Sequence, residues 1–199
     1  MKKGILILMS LTLILASVTA MAEAPRNGGR GTGAGGGFMQ TLNEGIAYMN
    51  GDGVDQDYEK ALQLFMEAFE AGSMKAARYV GMVYEQGLGV EQDYEKAAEY
   101  YAKGVEAGDL TSGYYLGLLF KQGLGVEQDY TKAAELFASV EASENKSATG
   151  VVAAGYELGA LYEQGLGVEQ DLNKAMELYE EAAAYENQDA VDALARLSK

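Results

Sequence analysis

Apolar residues recur along most of the chain with the spacing of an amphipathic helix. Ala61, Leu64, Phe65 and Ala68 stand at i, i+3, i+4 and i+7, which places one apolar stripe along a helix. The equivalent sets downstream are Ala97, Tyr100, Tyr101 and Gly104; Ala133, Leu136, Phe137 and Val140; and Ala175, Leu178, Tyr179 and Ala182. An aspartate precedes each set, at Asp57, Asp93, Asp129 and Asp171. Aspartate is a favoured N-cap residue, so the pattern predicts four capped helices.

A second apolar pattern follows each of these helices and contains a glycine. Its copies are Ala76, Val80, Gly81, Val83 and Tyr84; Leu116, Gly117, Leu119 and Phe120; and Leu158, Gly159, Leu161 and Tyr162. Glycine inside a helix costs roughly 1 kcal/mol relative to alanine, so its recurrence predicts that a neighbouring helix approaches closely. The aromatic residues Tyr48, Tyr84, Phe120 and Tyr162 are predicted to belong to the core. A Gly-x-Gly-Val sequence then ends the helix and turns the chain.

The two patterns repeat together as one unit. The interval is 36 residues from Gly53 to Gly89 and again to Gly125, and 42 residues to Gly167. A period of this size predicts a solenoid of helical hairpins, with repeats at about 45–80, 81–116, 117–158 and 159–194. Single closing helices are expected at 38–50 and 189–199, giving one complete domain of nine helices. The six additional residues fall around 143–152, where we expect a longer surface loop.

The repeated motif resembles that of a known family. Gly-x-x-Tyr-x-x-Gly-x-Gly-Val-x-x-Asp-Tyr-x-Lys-Ala, with Ala-x-x-Leu-Gly-x-Leu-Tyr before the turn, is similar to the Sel-1-like repeats, relatives of the tetratricopeptide repeats, over about residues 40–199. The resemblance implies an all-α, right-handed superhelical solenoid of about four helix-turn-helix repeats with capping helices at its ends. It also implies a role as an adaptor or scaffold that holds another protein.

The first residues have the three parts of a secretory signal peptide. Two lysines are followed by an apolar run over 4–18 and by Ala20-Met21-Ala22. The apolar run is shorter than the roughly 20 residues that cross a bilayer, although an uncleaved anchor is an alternative. We therefore expect a signal peptide at 1–22, cleavage after Ala22, a glycine-rich linker at 23–37 and a solenoid at 38–199. The mature protein would be periplasmic or secreted, with no stable membrane insertion.

Charge restricts the class of partner. Without Lys2 and Lys3, the mature chain has 13 basic and 30 acidic residues, a net charge of −17. Such a surface repels nucleic acid and anionic lipid, so we predict no nucleic-acid partner. Neutral or basic protein surfaces are favoured, although solubility alone also explains the acidity. With no cysteine, the fold depends on packing rather than on disulfides.

Candidate chemistry is sparse. The chain has no histidine and no cysteine, which removes His-based acid–base catalysis, thiol nucleophiles and nitrogen or sulfur metal sites. The aspartates between Asp52 and Asp57 do not follow the ligand order of a calcium loop. Ser143 and Lys146 match the Ser-x-x-Lys of penicillin-recognising enzymes, but the companion motifs are missing. We therefore predict that the protein is not an enzyme and that it has no cofactor, no metal site and no catalytic residue.

Positions where near-identical repeats differ are candidates for partner binding. On the second helix they occur at spacings of four and three residues, which forms one stripe. The candidate residues are Arg78, Met82, Glu85, Tyr114, Leu118, Lys121 and Tyr156. In solenoids that resemble this one, the second helix lines the concave surface. Arginine, tyrosine and methionine are enriched in interfaces, but ordinary sequence drift at surface positions explains the differences between repeats equally well.

The sequence thus predicts an exported scaffold that binds a protein through the concave face and regulates or assembles an envelope complex. One alternative is an immunity protein that neutralises a toxic effector in the periplasm. A second alternative is a β-lactam-directed hydrolase.

Overall fold

The computed structural model describes residues 37–146 and 150–198, which form nine α-helices and no β-strand. In chain order the helices are α1 (Gly37–Asn50), α2 (Tyr58–Glu70), α3 (Met74–Gln86), α4 (Tyr94–Glu106), α5 (Leu110–Gln122), α6 (Tyr130–Glu141), α7 (Val151–Gln164), α8 (Leu172–Ala184) and α9 (Gln188–Leu197). The predicted signal peptide, and the predicted linker as far as residue 36, lie outside the described residues.

Each helix packs against the next one along the chain. Four hairpins result, α2–α3, α4–α5, α6–α7 and α8–α9, and α1 stands alone at the start as the equivalent of a second helix. The second helix of each hairpin also packs on the first helix of the following one, as α3 does on α4. Contacts restricted to neighbouring units are those of a solenoid, so the predicted all-α repeat architecture is confirmed.

The helix ends follow from the repeated sequence. The N-cap aspartates are confirmed, because each carboxylate accepts a hydrogen bond from the backbone N–H three residues later at 2.9–3.0 Å. Two further caps were not predicted from the sequence, Asp109 before α5 and Asn187 before α9. At the opposite end, Gly87 closes α3 with a φ of 66°, in the left-handed region that favours glycine.

The recurring glycine inside the second helix is explained by a ring on the next unit. A Cβ on Gly81 would lie 2.6 Å from the Cε1 atom of Tyr101, and a Cβ on Gly117 would lie 2.5 Å from that of Phe137. Gly45 faces Phe65 and Gly159 faces Tyr179 in the same way. The predicted close approach is therefore confirmed, and the partner of each glycine is a fully buried aromatic ring.

The prediction that four further aromatic residues belong to the core is wrong. Tyr48, Tyr84, Phe120 and Tyr162 are half-buried and pack against the edge of the core. Lysine ammonium groups cover two of them, since the Nζ of Lys96 lies 4.9 Å from the centre of the Tyr84 ring and the Nζ of Lys132 lies 5.1 Å from that of Phe120. These positions follow the helical period, but they lie where the stripe meets solvent.

The six additional residues fall between α6 and α7, in the segment 142–150, of which 147–149 lie outside the described residues. Lys146 anchors this segment, because its Nζ lies 2.9 Å from Oε1 of Glu141 and 2.8 Å from Oε1 of Glu181 on α8. The segment ends at Gly150, which stands at the N-cap of α7 with a φ of 92°. Lys146 therefore links this segment to α6 and α8, which belong to two successive hairpins.

Candidate partner-binding stripe on the second helices

The candidate residues occupy one stripe on α3, α5 and α7. We call these seven residues the variable stripe: Arg78, Met82, Glu85, Tyr114, Leu118, Lys121 and Tyr156. All of them are half-buried. Met82 packs against the core cluster of α4 and α5, and Leu118 packs against that of α6 and α7. The inner part of each side chain is therefore packed, and its outer part is accessible to solvent. A surface of this kind can bind a partner without rearranging.

Two basic residues of the variable stripe are held by carboxylates from other units. Arg78 Nη1 donates to Oδ1 of Asp109 at 3.1 Å, and the guanidinium lies 5.0 Å from the ring centre of Tyr79. Lys121 Nζ donates to Oε2 of Glu157 at 2.5 Å. Three of the four groups in these pairs have less than a quarter of their side-chain surface exposed. The pairs tie α3 to the start of α5 and α5 to α7.

Glu85 has a partner in the core. The hydroxyl of the buried Tyr101 donates to Oε2 of Glu85 at 2.5 Å, and in the last hairpin Tyr179 donates to Oε2 of Glu163 at 2.8 Å. A buried hydroxyl without a partner is costly, so each tyrosine requires an acceptor at this position.

In the other two units, the aromatic residue is Phe65 or Phe137, and the position of Glu85 is taken by Met49 or Lys121. Phenylalanine has no hydroxyl to satisfy. Part of the sequence variation along the stripe therefore follows the core aromatic residue and needs no partner to explain it.

The tyrosines of the stripe lie over the core rings. Tyr114 packs at 5.4 Å from the ring of Tyr115 and 6.2 Å from that of Phe137, and Tyr156 packs at 5.6 Å from that of Tyr179. The adjacent Tyr115 stacks on Tyr101 at 5.3 Å.

Tyr79, Tyr115 and Glu157 belong to the same surface and were not predicted from the sequence. They share one position of the repeat, which is tyrosine in two repeats and glutamate in the third, so the criterion that selected the stripe would also have found them.

Carboxylates from three helices act on one hydroxyl. Burial, together with the negative charges of Glu157, Asp189 and Glu85, raises the pKa of Tyr114 to about 12. These residues belong to α7, α9 and α3. The second helices α5 and α7 also contact each other directly. The carboxylates that act on Tyr114 therefore all belong to second helices.

The remaining sequence candidates, Ser143 and Lys146, make hydrogen bonds with other residues. Ser143 accepts a hydrogen bond from the backbone N–H of Asn145 at 3.3 Å. Burial alone would lower the pKa of Lys146, but its hydrogen bonds to Glu181 and Glu141 outweigh that effect and raise the pKa. A lysine that acts as a base for a serine needs the opposite shift.

Within residues 37–146 and 150–198, no group of three or more acidic side chains, Asp52 to Asp57 included, is placed to hold a metal ion. None of the helices in these residues has the length and apolar character needed to cross a membrane.

The fold is an α-solenoid of repeats, defined by capped helical hairpins and by a glycine that receives a ring from the next unit. The chain belongs to the Sel1 repeat family, whose model matches residues 45–73, 75–109, 114–139 and 152–184. The family resemblance of the sequence is thus confirmed. Sel1 repeat proteins generally act as scaffolds for protein–protein interactions. No curated protein matches the sequence significantly.

Two solved structures are similar over most of the chain. One is c5321, described as a protective antigen of uropathogenic Escherichia coli strains with an SLR fold, at 33% identity and a TM-score of 0.71. The similarity covers 80% of this chain and 33% of that one. The other is a Sel1 repeat protein from Oxalobacter formigenes, at 29% identity, a TM-score of 0.67, and coverage of 77% and 60%. This chain thus spans a third and three-fifths of the lengths of these relatives.

Proposed function

We propose that this protein is an exported scaffold that binds a protein partner through the variable stripe on the inner side of the solenoid. The observation that carries the proposal is the state of the stripe itself. Its side chains are half-buried and fixed by packing and by ion pairs, while their outer parts face solvent. Binding to a surface that is already ordered costs less conformational entropy than binding to a mobile one.

Composition supports the same side of the molecule. The stripe and its neighbours bring together tyrosine, arginine, methionine and leucine, and tyrosine and arginine are the residues that dominate binding energies at protein interfaces. The first helices present another kind of surface, with exposed polar or small residues such as Gln63, Glu99, Glu135 and Ala138.

Export is proposed from the first 22 residues, whose charged start, apolar run and Ala-x-Ala site are typical of a signal peptide. A partner would then be a protein of the envelope or one that enters it. Regulation or assembly of an envelope complex is the role that we favour.

The experiment is a pull-down from the native envelope fraction with the stripe variants Met82→Arg and Leu118→Arg. Matched controls are Gln63→Arg on α2 and Ala138→Arg on α6, which make the same charge change at exposed positions of first helices. Circular dichroism verifies that each variant is folded.

We expect the wild type and both controls to capture the same partner and the stripe variants to lose it. Undiminished capture by the stripe variants, or equal loss in the controls, would contradict the proposal. The identity of the partner would distinguish a regulator from an immunity protein.

A further inference from the structure

The variable stripe and the adjacent Tyr115 bring a group of tyrosines together on the side formed by the second helices. We call Tyr114, Tyr115 and Tyr156 the tyrosine cluster. Their rings pack on the rings beneath them at 5.3–6.2 Å, so they are held in place. Each is half-buried, and no polar side-chain atom is buried without a partner in the described residues. The cluster therefore offers ordered aromatic faces and accessible hydroxyls, a combination that is frequent in protein-binding surfaces.

The charges around the cluster do not cancel. Arg78, Lys121 and Arg196 are each neutralised by a carboxylate, namely Asp109, Glu157 and Glu163. Glu85 and Asp189 are left over, and no basic side chain within residues 37–146 and 150–198 lies within ion-pair distance of either. In the part of the chain that the structure describes, the carboxylate of Glu85 accepts only the neutral hydroxyl of Tyr101. After internal pairing, the surface around the cluster is negative.

These two properties select one kind of partner. Aromatic faces attract guanidinium and ammonium groups, and unneutralised carboxylates complete the interaction. The excess of acid over the whole chain, a net charge of −15, attracts the same partner from a distance. We infer that the tyrosine cluster, with Glu85 and Asp189, binds a basic, arginine-bearing segment of the partner protein. This inference rests on the proposed function and names the chemistry of the partner.

Electrostatic effects along the stack support a single surface rather than separate sites. Glu85 lies on α3, the tyrosines on α5 and α7, and Asp189 in the first turn of α9. Both carboxylates nevertheless act on Tyr114, and after burial Asp189 has the largest effect on the raised pKa of Tyr156. An extended segment that follows the inner side could therefore meet aromatic faces and both carboxylates together.

The test uses the folded protein and a fluorescently labelled, blocked peptide that alternates glycine and arginine. Fluorescence anisotropy measures its binding, and a peptide that alternates glycine and serine is the negative control. The variant Glu85→Gln/Asp189→Asn removes two charges, and the amide oxygen introduced at position 85 can still accept the Tyr101 hydroxyl. The matched variant Glu95→Gln/Glu127→Gln removes two charges from exposed positions elsewhere.

We expect the arginine peptide to bind the wild type and the matched variant about equally, and the Glu85→Gln/Asp189→Asn variant at least about fivefold more weakly. A second variant, Tyr156→Leu, should also weaken binding, because it removes a ring but no charge. Equal weakening in the two charge variants would mean that only net charge attracts the peptide. That result, or no binding by the wild type, would overturn the inference.

The outcomes separate this inference from the proposed function. If Met82→Arg and Leu118→Arg abolish capture of the natural partner but Glu85→Gln/Asp189→Asn does not, the scaffold proposal stands and the basic partner is wrong. If the peptide binds as expected but the stripe variants retain the natural partner, the basic site is supported and the proposed function fails.

Discussion

Gly117 offers a sharp test of how one repeat packs on the next. It lies inside α5 against the ring of Phe137 on α6. A Cβ added at Gly117 would lie 2.5 Å from Cε1 of that ring and 2.9 Å from its Cδ1. Phe137 is fully buried, so its ring cannot move into solvent. The substitution Gly117→Ala must therefore push α5 and α6 apart or force the ring out of its rotamer.

The expected effect follows from two opposing contributions. Overpacking costs typically about 1–3 kcal/mol, and we expect the upper part of that range because three ring atoms lie inside contact distance. Replacing glycine by alanine in a helix gains roughly 1 kcal/mol. The predicted net loss for Gly117→Ala is about 1–2 kcal/mol in the free energy of unfolding.

Gly155 on α7 is the matched control. A Cβ there meets only Cγ of Glu141, at 3.4 Å, which is close to an ordinary contact. Gly155→Ala should therefore be neutral or stabilise by up to about 1 kcal/mol. Urea unfolding followed by circular dichroism measures both variants.

The steric cause has its own signature. In a Phe137→Leu background the ring is absent, so Gly117→Ala should be less damaging than in the wild type. A coupling of at least about 0.5 kcal/mol is expected for residues in contact. If Gly117→Ala were as stable as Gly155→Ala, or if the cycle showed no coupling, the packing explanation of the recurring glycine would be refuted.

Two further predictions concern the carboxylates of the second helices. Tyr101→Phe should lower the free energy of unfolding by about 1.5 kcal/mol, the lower end for a hydrogen bond to a charged group, because Glu85 is left half-buried without its donor. Tyr101→Phe/Glu85→Met, which copies the Phe65–Met49 pairing of the first unit, should recover most of that loss in urea unfolding. No recovery would contradict the pairing. Arg196 holds the pKa of Glu163 below its usual 4.5. The Arg196–Glu163 pair therefore stabilises the folded state above pH 4.5, and this stabilisation is lost as the pH falls through the lower pKa of the folded state. Glu163→Gln should therefore flatten the fall in melting temperature between about pH 5 and pH 3, whereas an unchanged fall would disprove the effect.

The repeat made the fold predictable. Each unit contains the same local signals, namely an aspartate cap, an apolar stripe and a closing glycine. Such signals determine where helices begin and end. The role of the inner glycine was also predictable, because a costly residue that recurs in every unit requires a reason. The identity of its ring partner was not, since Gly81 and Tyr101 are joined only by the packing of two helices.

The candidate site was predictable only in outline. Variation among the repeats located the stripe, but the partners of its charges lie in other units. Arg78 pairs with Asp109 and Lys121 with Glu157, and those pairs depend on how successive helices are rotated. The charge of Asp189 on α9 acts on Tyr114 on α5, and no spacing in the sequence indicates that effect. One signal was present and unused, since glutamate accompanies tyrosine in the core and disappears where phenylalanine replaces it.

Photo-crosslinking in the native envelope shows whether a partner contacts the variable stripe. A benzophenone side chain is introduced at Leu118 on the variable stripe and, separately, at Ala138 on the exposed side of α6. We predict one discrete adduct with another protein from Leu118 and none from Ala138. Adducts from Ala138 alone would contradict binding through the inner side of the solenoid. The same conclusion would follow if the pull-down captured a partner but Leu118 gave no adduct.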